Sequence, residues 1–515
     1  MNFAEVLDVA ADRAPAAEAI RLGGQILGYG ELRHRARVVA GLIQSVRIQS
    51  GEKVAVLMHN AFEYAEIAFG VIGGGSVLLP VNPRLAAAEI SYILDNADVR
   101  AIFIGPEFVD TMLGIRRELE KIDHVFVAAE ELPLAAAESG WQLYESAIAA
   151  AGAVDDWADT DGQDDCMLVY TSGTTGSPKG AVRSHASAIW GASNFSTVWG
   201  QIDPERDRFL YCIPMASIGF LNVFASSVFN GLAVELMYKF SPEKALEVIE
   251  TNRVTHAYLV PAMWRMIMRS PELGSRDLAS LRVGIWGGEP LDDALREAIL
   301  SRFGPVLLGV FGTTEGALLS SRLGDDQRLP KTSGRAAGYN RFRIVDEAGN
   351  EVPRGTVGEL INKGPTTLSR YYKNPEATAD VLRNGWYYTG DLAWMNEDGF
   401  VFVVDRKREM LIAGGQNVYP AELERVLCSH RAVAAAAVVG VPDPDWGEAA
   451  MAFVVPLDGA PPVDELTAHM RAHLAGYKVP RHWRFVDELP TNSMGKVRKQ
   501  ALREMAAGAE GVGAV

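Results

Sequence analysis

Between Tyr170 and Gly180 the chain reads Tyr-Thr-Ser-Gly-Thr-Thr-Gly-Ser-Pro-Lys-Gly. Thr171, Ser172, Thr174, Thr175 and Ser177 supply hydroxyls, and Lys179 adds a cation. Gly173, Gly176 and Gly180 let backbone N–H groups approach a ligand closely. Consecutive N–H groups, hydroxyls and one lysine form a cradle for phosphate oxygens. Gly, Ser and Thr are also ordinary residues of solvated loops. The length of this stretch, its lack of acidic residues and its place directly after the apolar run Cys166–Tyr170 favour the phosphate reading. It is not the common nucleotide P-loop. Gly180 follows Lys179, so the Ser or Thr hydroxyl that would hold magnesium there is missing.

Four further places carry chemistry. Glu315 follows Thr313 and Thr314 at an expected strand end, where a carboxylate beside bound phosphates would hold Mg²⁺ through oxygen; a helix N-terminal acid is the plainer alternative. Asp391, in Trp-Tyr-Tyr-Thr-Gly-Asp, can accept both ribose hydroxyls of a nucleotide or be a turn residue. The run Asp405-Arg-Lys-Arg-Glu409 reads, taken alone, as a solvated face. Lys496 sits in a glycine-containing turn near the C-terminus and alone reads as a surface lysine. His185, His256 and His430 read as packing or surface residues.

Elements must bring these places together. Strand and helix patterns alternate from the start: a helix over Leu32–Val46, a strand over Val54–Met58, a helix over Ala61–Val71, strands over Ser76–Pro80 and Arg100–Ile104 with a helix over Ala86–Leu94 between them. Further strands are predicted at Arg208–Ile213, Leu232–Met237, His256–Leu259, Leu281–Trp286 and Pro305–Val310, with helices over Pro242–Thr251 and Leu291–Phe303. This is the pattern of α/β architecture, mostly parallel sheet with helices on both faces. Ligands collect at the strand ends of such sheets, and three ends carry suggestive residues: Cys212–Ser217, Trp286–Pro290 and Phe311–Gly316. From about 335 to 405, short strands and turns suggest a β-rich subdomain completing a large domain, 1–405. Residues 406–515 have the size of a small α+β domain. Asp155–Asp165 holds six aspartates in eleven residues and reads as a solvated linker.

Composition bounds the partners. With 515 residues, more than one core is expected. The net charge of −16, from 49 basic and 65 acidic residues, disfavours nucleic acid or an anionic membrane as partner, so an anionic substrate must be met by local cations. Cys166, Cys212 and Cys428 are three widely separated cysteines. They suggest no disulfide framework or zinc site, but a reducing cytoplasm and thiols packed as small hydrophobes. No signal peptide and no membrane span are expected. The oligomeric state is open.

In combination the motifs carry a specific resemblance. Thr171–Gly180, Gly287-Gly-Glu-Pro290, Gly312–Glu315, Tyr388-Thr-Gly-Asp-Leu392, Asp405-Arg406, Gly414-Gly-Gln-Asn-Val-Tyr-Pro420 and Met494-Gly-Lys496 occur in the order found in adenylate-forming enzymes. That superfamily comprises acyl-CoA synthetases, luciferases and peptide-synthetase adenylation domains. The likeness covers about 2–499 and is strongest to bacterial acyl-CoA ligases, which Pro80–Arg84 and Tyr477–Arg481 also resemble.

The resemblance implies a division of labour. Thr171, Ser172, Gly173, Thr174, Thr175, Gly176 and Lys179 would hold the pyrophosphate portion of ATP. Gly288, Glu289 and Pro290 would flank adenine, and Phe311, with Gly312 and Thr313 behind it, would stack on it. Thr314 would meet the α-phosphate, Glu315 Mg²⁺, and Asp391 and Arg406 the ribose. Lys496 would bridge the acid and the α-phosphate. A small-molecule carboxylate would then attack the α-phosphorus, giving acyl-adenylate and pyrophosphate. The small C-terminal domain would rotate about Arg408, withdrawing Lys496 and bringing in Gly414 and Gly415 to line a channel for the second nucleophile, CoA. The acyl pocket would draw on Ser217, Gly219, Phe220, Trp286, Gly287 and Leu318.

Three residues depart from the family pattern. Ser217 stands where His is frequent, which opens the acyl and thiol path and motivates an alternative acceptor, an amine or amino acid. Arg408 stands where Asp or Lys is usual, and Phe311 where Tyr is. A nucleotide-binding protein without catalysis is a third reading, opposed by the presence of Lys496, Glu315 and Asp391.

Overall fold

The computed structural model describes residues 1–171, 178–200, 202–413, 416–443, 447–492 and 496–507. The described residues form two compact units: 1–171, 178–341 and 362–387 in the first, 342–361 and 388–507 in the second.

The first unit is built on two large sheets. One has eight strands and runs Arg370–Tyr371, Lys179–Ser184, Asp165–Thr171, Val77–Pro80, Lys53–Leu57, Val99–Ile104, His124–Val127, Gln142–Leu143. It is parallel from Asp165–Thr171 to its far edge. In Lys53–Leu57 the side chains of Val54 and Val56 join one core while Ala55 and Leu57 join another. Both faces are therefore buried, which is why the strand reads as an uninterrupted apolar run. The second sheet has nine strands, with Leu307–Gly312, Val283–Gly287, His256–Tyr258, Arg208–Tyr211 and Ala233–Leu236 parallel at its centre. One apolar cluster takes residues from both sheets, including Val54, Val56 and Leu78 from one and Phe209, Tyr211 and Val234 from the other.

The helices obey local rules. Pro242–Thr251 begins with proline in its first turn, and the Ser241 hydroxyl accepts the Lys244 N–H. Asp292 caps Asp293–Phe303 by accepting the Leu295 N–H at 2.8 Å. Helix Phe62–Gly73 lies against Tyr29–Ser45 at Gly70, where a Cβ would stand 2.5 Å from the Val39 Cβ.

Three expectations are refined. Lys179, expected within the glycine-rich loop, opens the strand Lys179–Ser184, which returns antiparallel beside Asp165–Thr171 and pairs Lys179 with Thr171. The acidic stretch keeps five of its six aspartates exposed, as expected of a solvated linker, but it is also fastened to the first unit. The Trp157 indole donates to Asp8 at 2.6 Å and lies on Gly73, and the Ala158 N–H donates to the Gly73 carbonyl; the apolar residues between the aspartates anchor it. Cys428 is exposed, unlike buried Cys166 and Cys212, because it ends the amphipathic helix Pro420–Cys428 on its outer face. No helix among the described residues is long and apolar enough to cross a membrane.

One buried acid gives a stability prediction. Asp326 is 2% exposed, and burial pushes its pKa up to about 6 from 3.8. Its folded pKa exceeds the unfolded value, so the native state binds the extra proton and loses stability as pH rises through that window. Asp326→Asn removes this loss. Its stability relative to the unsubstituted protein, measured by urea denaturation, is expected to rise by roughly 2 kcal/mol between pH 4 and pH 8; a pH-independent difference would refute the assignment.

The second unit contains most of a third sheet, in which Val401–Arg406 pairs antiparallel with residues 391–395. It also holds a five-stranded sheet centred on Val433–Asp443 and Gly447–Pro456, with His482–Phe485 parallel to the latter. Helices Pro420–Cys428 and Val463–His473 share one apolar cluster on this sheet through Leu423, Leu427, Leu466 and Met470.

Candidate active site

In the first unit, three residues distant in sequence converge at the expected phosphate position. Tyr371 pairs with Ala181 in the antiparallel strand beside Lys179–Ser184. Its hydroxyl donates to Glu315 Oε1 at 2.7 Å, and its ring centroid lies 5.6 Å from Lys179 Nζ. Tyr371 thus links the lysine of the glycine-rich stretch to the acid. Glu315 does not begin a helix. It lies in a tight turn joining Leu307–Gly312 to antiparallel Leu318–Ser320, closed by the Gly316 N–H on the Thr313 carbonyl and the Ala317 N–H on Thr313 Oγ1. Gly316 has φ +111°, and a Cβ there would fall 1.9 Å from the Thr366 carbonyl oxygen, so the turn requires glycine.

Arg183 adds a charge that sequence reasoning passed over. It is completely buried. Its guanidinium donates to the Thr314 carbonyl at 3.3 Å, the Ser187 hydroxyl at 3.1 Å and the Ser187 carbonyl at 3.1 Å. Burial lowers its pKa to about 10, which leaves it cationic at neutral pH behind Thr314. An arginine within the apolar strand run Gly180–Ser184 was the available signal. Tyr371 had none, because a two-residue strand shows no periodicity.

The remaining first-unit candidates divide into those facing the strand ends and those within the core. Gly287 ends the strand Val283–Gly287, and a Cβ there would meet the Val310 carbonyl oxygen at 2.5 Å. Gly288 has φ +90°. Glu289 turns back and accepts the Ala262 N–H at 3.0 Å, so its side chain caps the helix Pro261–Arg269 and Pro290 follows. Phe311 is half-buried and pairs with Leu319; Gly312 pairs with Leu318. The Ser217 hydroxyl donates to the Pro214 carbonyl at 2.8 Å and accepts the Gly219 N–H at 3.1 Å. Trp286 lies across Gly309, which has no side chain to block it. Phe220, expected as a pocket wall, packs among other aromatic rings. It is completely buried, its ring 5.5 Å from Phe69, 6.0 Å from Tyr64 and 5.5 Å from Phe224.

The histidines behave as packing residues. His185 Nδ1 accepts the Phe3 N–H at 2.9 Å, and burial lowers its pKa to about 4. His256 is buried with its pKa lowered to about 4 for the same reason.

In the second unit, Asp391 is within the strand Trp386–Met395 rather than after one, directly opposite Arg406. Asp391 is 2% exposed. The Arg406 Nε reaches its Oδ1 at 2.8 Å, and its own N–H donates to Thr389 Oγ1 at 3.0 Å. Asp405 Oδ2 accepts the Ala421 N–H at 2.9 Å, fastening the strand end to the start of the helix Pro420–Cys428. The charge run is therefore structured: Lys407 pairs with Glu359 at 2.9 Å and Glu409 with Arg503 at 2.6 Å. Arg408 is 45% exposed, 3.7 Å from Glu409, and burial beside Arg406 lowers its pKa. Lys496 is exposed in a turn where its N–H donates to Asn492 Oδ1 at 2.9 Å. Ser172, Gly173, Thr174, Thr175, Gly176, Gly414 and Gly415 lie outside the described residues.

Residues 7–372 match the model for AMP-binding enzymes, and residues 422–496 match that for the AMP-binding enzyme C-terminal domain. The chain belongs to the AMP-binding enzyme family. Among AMP-binding relatives it is 36% identical to a feruloyl-CoA synthase from an Amycolatopsis species, covering 95% of this chain and 96% of the relative. Among solved structures it resembles the anthranilate CoA ligase AuaEII in complex with anthranoyl-AMP, at TM-score 0.91 and 26% identity over 99% of this chain and 98% of that one. It also resembles an amide bond synthetase from Marinactinospora thermotolerans, at TM-score 0.87 and 29% identity over 98% of this chain and 99% of that one.

Proposed function

We propose that this enzyme uses ATP to activate an aromatic carboxylic acid as its acyl-adenylate, releasing pyrophosphate, and then transfers the acyl group to CoA. The observation that carries the activation step is the Tyr371 bridge, which holds Glu315 and Lys179 about one position. An acid for a cation and an ammonium for an anion, so placed, suit a metal-bound polyphosphate. Among the described residues no group of three His, Cys, Asp or Glu side chains could hold a metal. Mg²⁺ would be held by the Glu315 carboxylate together with substrate phosphates and water. Tyr371 occupies Glu315 Oε1, which would leave Oε2 free to face the ion. Bound Mg²⁺ offsets phosphate charge.

In the first half-reaction, the substrate carboxylate oxygen attacks the α-phosphorus and the bond to the β-phosphate oxygen breaks. Lys179 and the stretch 171–176 hold the departing pyrophosphate. Thr314, its carbonyl fixed by Arg183, orients the α-phosphate, and Lys496 offsets the two meeting anions. Gly288, Glu289, Pro290, Phe311, Gly312 and Thr313 seat adenine, while Asp391 and Arg406 hold ribose. In the second half-reaction the thiolate attacks the acyl carbon and AMP leaves. The 406–515 domain turns about Arg408 between the two, presenting Gly414 and Gly415. The relatives named for feruloyl and anthranilate acids support an aromatic substrate.

Ser217 favours a second reading, transfer to an amine, since its hydroxyl is engaged within its own turn and leaves the space of a larger side chain open. Pyrophosphate release is measured with ATP, Mg²⁺ and a panel of aromatic acids, and products are then sought with CoA or with amines. Acyl-CoA is the expected product. Amide formation without thioester would replace the first acceptor by the second, and no acid-dependent release would overturn activation itself.

A further inference from the structure

Buried polar side chains are nearly always hydrogen-bonded, so an exception calls for a missing partner. The helix His185–Ser196 presents one. Asn194 is 1% exposed, and neither its Oδ1 nor its Nδ2 has a hydrogen-bond partner among the described residues. Asn222 Oδ1 is buried in the same condition. Two glycines make room for these amides. A Cβ on Gly338 would fall 2.1 Å from Asn194 Oδ1, and one on Gly191 would fall 2.7 Å from Asn222 Oδ1. Gly191 and Asn194 are one turn apart on the helix.

The amides stand beside the expected acyl site. Asn222 is three residues beyond Gly219, in the helical segment Phe220–Phe224. Gly338 follows Ala337, whose N–H donates to the Leu318 carbonyl at 3.2 Å. Next to them Trp190 and Tyr339 meet edge-to-face at 4.8 Å, exposed by 36% and 69%. An exposed aromatic pair beside a buried amide suits a planar ring with a polar substituent.

We propose that Asn194, supported by Asn222, determines specificity by receiving a ring hydroxyl of the substrate, making hydroxylated aromatic acids the preferred class. An amide both donates and accepts, as a hydroxyl does, so a phenol can satisfy Asn194 Oδ1 or Nδ2, and Asn222 Oδ1 offers a second buried acceptor. The proposal rests on the activation reading above. A site built to bond a hydroxyl discriminates strongly against the analogue lacking it, because its own polar groups are then left unpaired.

The test compares kcat/KM for pyrophosphate release with 4-hydroxycinnamate and cinnamate, and with 4-hydroxyphenylacetate and phenylacetate. The unsubstituted enzyme is expected to prefer the hydroxylated member of at least one pair by about tenfold or more. Asn194→Leu, similarly branched but apolar, is expected to bring that ratio near one. Without ligand its melting temperature should be no lower than that of the unsubstituted protein, since an unpartnered buried amide does not support the fold. Asn222→Leu should lower the ratio in the same direction. An absent preference, an unchanged ratio in Asn194→Leu, or a fall of more than about 5 °C in its melting temperature overturns the proposal; an ordered water as the amide's partner gives the unchanged ratio. If the hydroxylated and unsubstituted members of each pair drive pyrophosphate release equally well, activation stands and only the hydroxyl receptor falls. If no acid drives release in the unsubstituted enzyme, both fall.

Discussion

Lys496→Ala is expected to lower acyl-adenylate formation by about 10²–10³-fold or more while leaving thioester formation from supplied acyl-adenylate within a few-fold of its original rate. Two anions must meet in line in the first half-reaction, and a single ammonium placed where charge accumulates contributes most there. In the second, the α-phosphate already carries the acyl group, and the proposed domain rotation would have turned Lys496 away. The Asn492 N–H donates to the Lys496 carbonyl at 2.8 Å, and Thr491 bridges to Val497. Lys496 is exposed, so the variant should retain its melting temperature. The two half-reactions are measured separately, the first by pyrophosphate release and the second by CoA consumption. Equal loss in both would remove the domain rotation about Arg408 from the mechanism.

Glu315→Gln separates charge from shape. The amide oxygen can still accept the Tyr371 hydroxyl, whose bond to Glu315 is 2.7 Å, and the turn Thr313–Ala317 is untouched. What disappears is the negative charge, and with it the hard oxygen ligand preferred by Mg²⁺. The first half-reaction should slow by about 10²–10³-fold, and the Mg²⁺ concentration giving half-maximal rate should rise. A variant with the original Mg²⁺ dependence would show that Glu315 only orders the turn. Glu315→Ala is the harsher comparison, because it also leaves the Tyr371 hydroxyl without its acceptor.

The helices and strands that carry these residues were largely legible in the sequence. Helix Pro242–Thr251 was readable to the residue, because a proline in the first turn and a serine cap mark its start. The central strands of both large sheets were readable as short apolar runs, because both their faces are covered. The returning strand Lys179–Ser184 was not. It carries Arg183 in its interior and begins within the glycine-rich stretch, so its apolar signal is short and interrupted. Asp155–Asp165 was legible as a charged, exposed stretch, but not its anchoring: Trp157 lies on Gly73, and the Ala158 N–H donates to the Gly73 carbonyl.

The sequence by itself determined the chemistry on offer: an ordered set of motifs with hydroxyls, glycines, Lys179, Glu315, Asp391 and Lys496, and the α/β framework that places such motifs at strand ends. These are local properties, carried by residue type and short-range spacing. Tertiary structure decided which side chains meet. Tyr371 stands 56 residues beyond Glu315, and sheet pairing alone turns it into the bridge to Lys179. Arg183 became a buried cation behind Thr314, Phe220 went to the core, and Asn194 came to face Gly338 without a partner for its amide among the described residues. No local pattern encodes these outcomes, because each depends on the register of strands distant in the chain and on how closely two backbones can approach at a glycine.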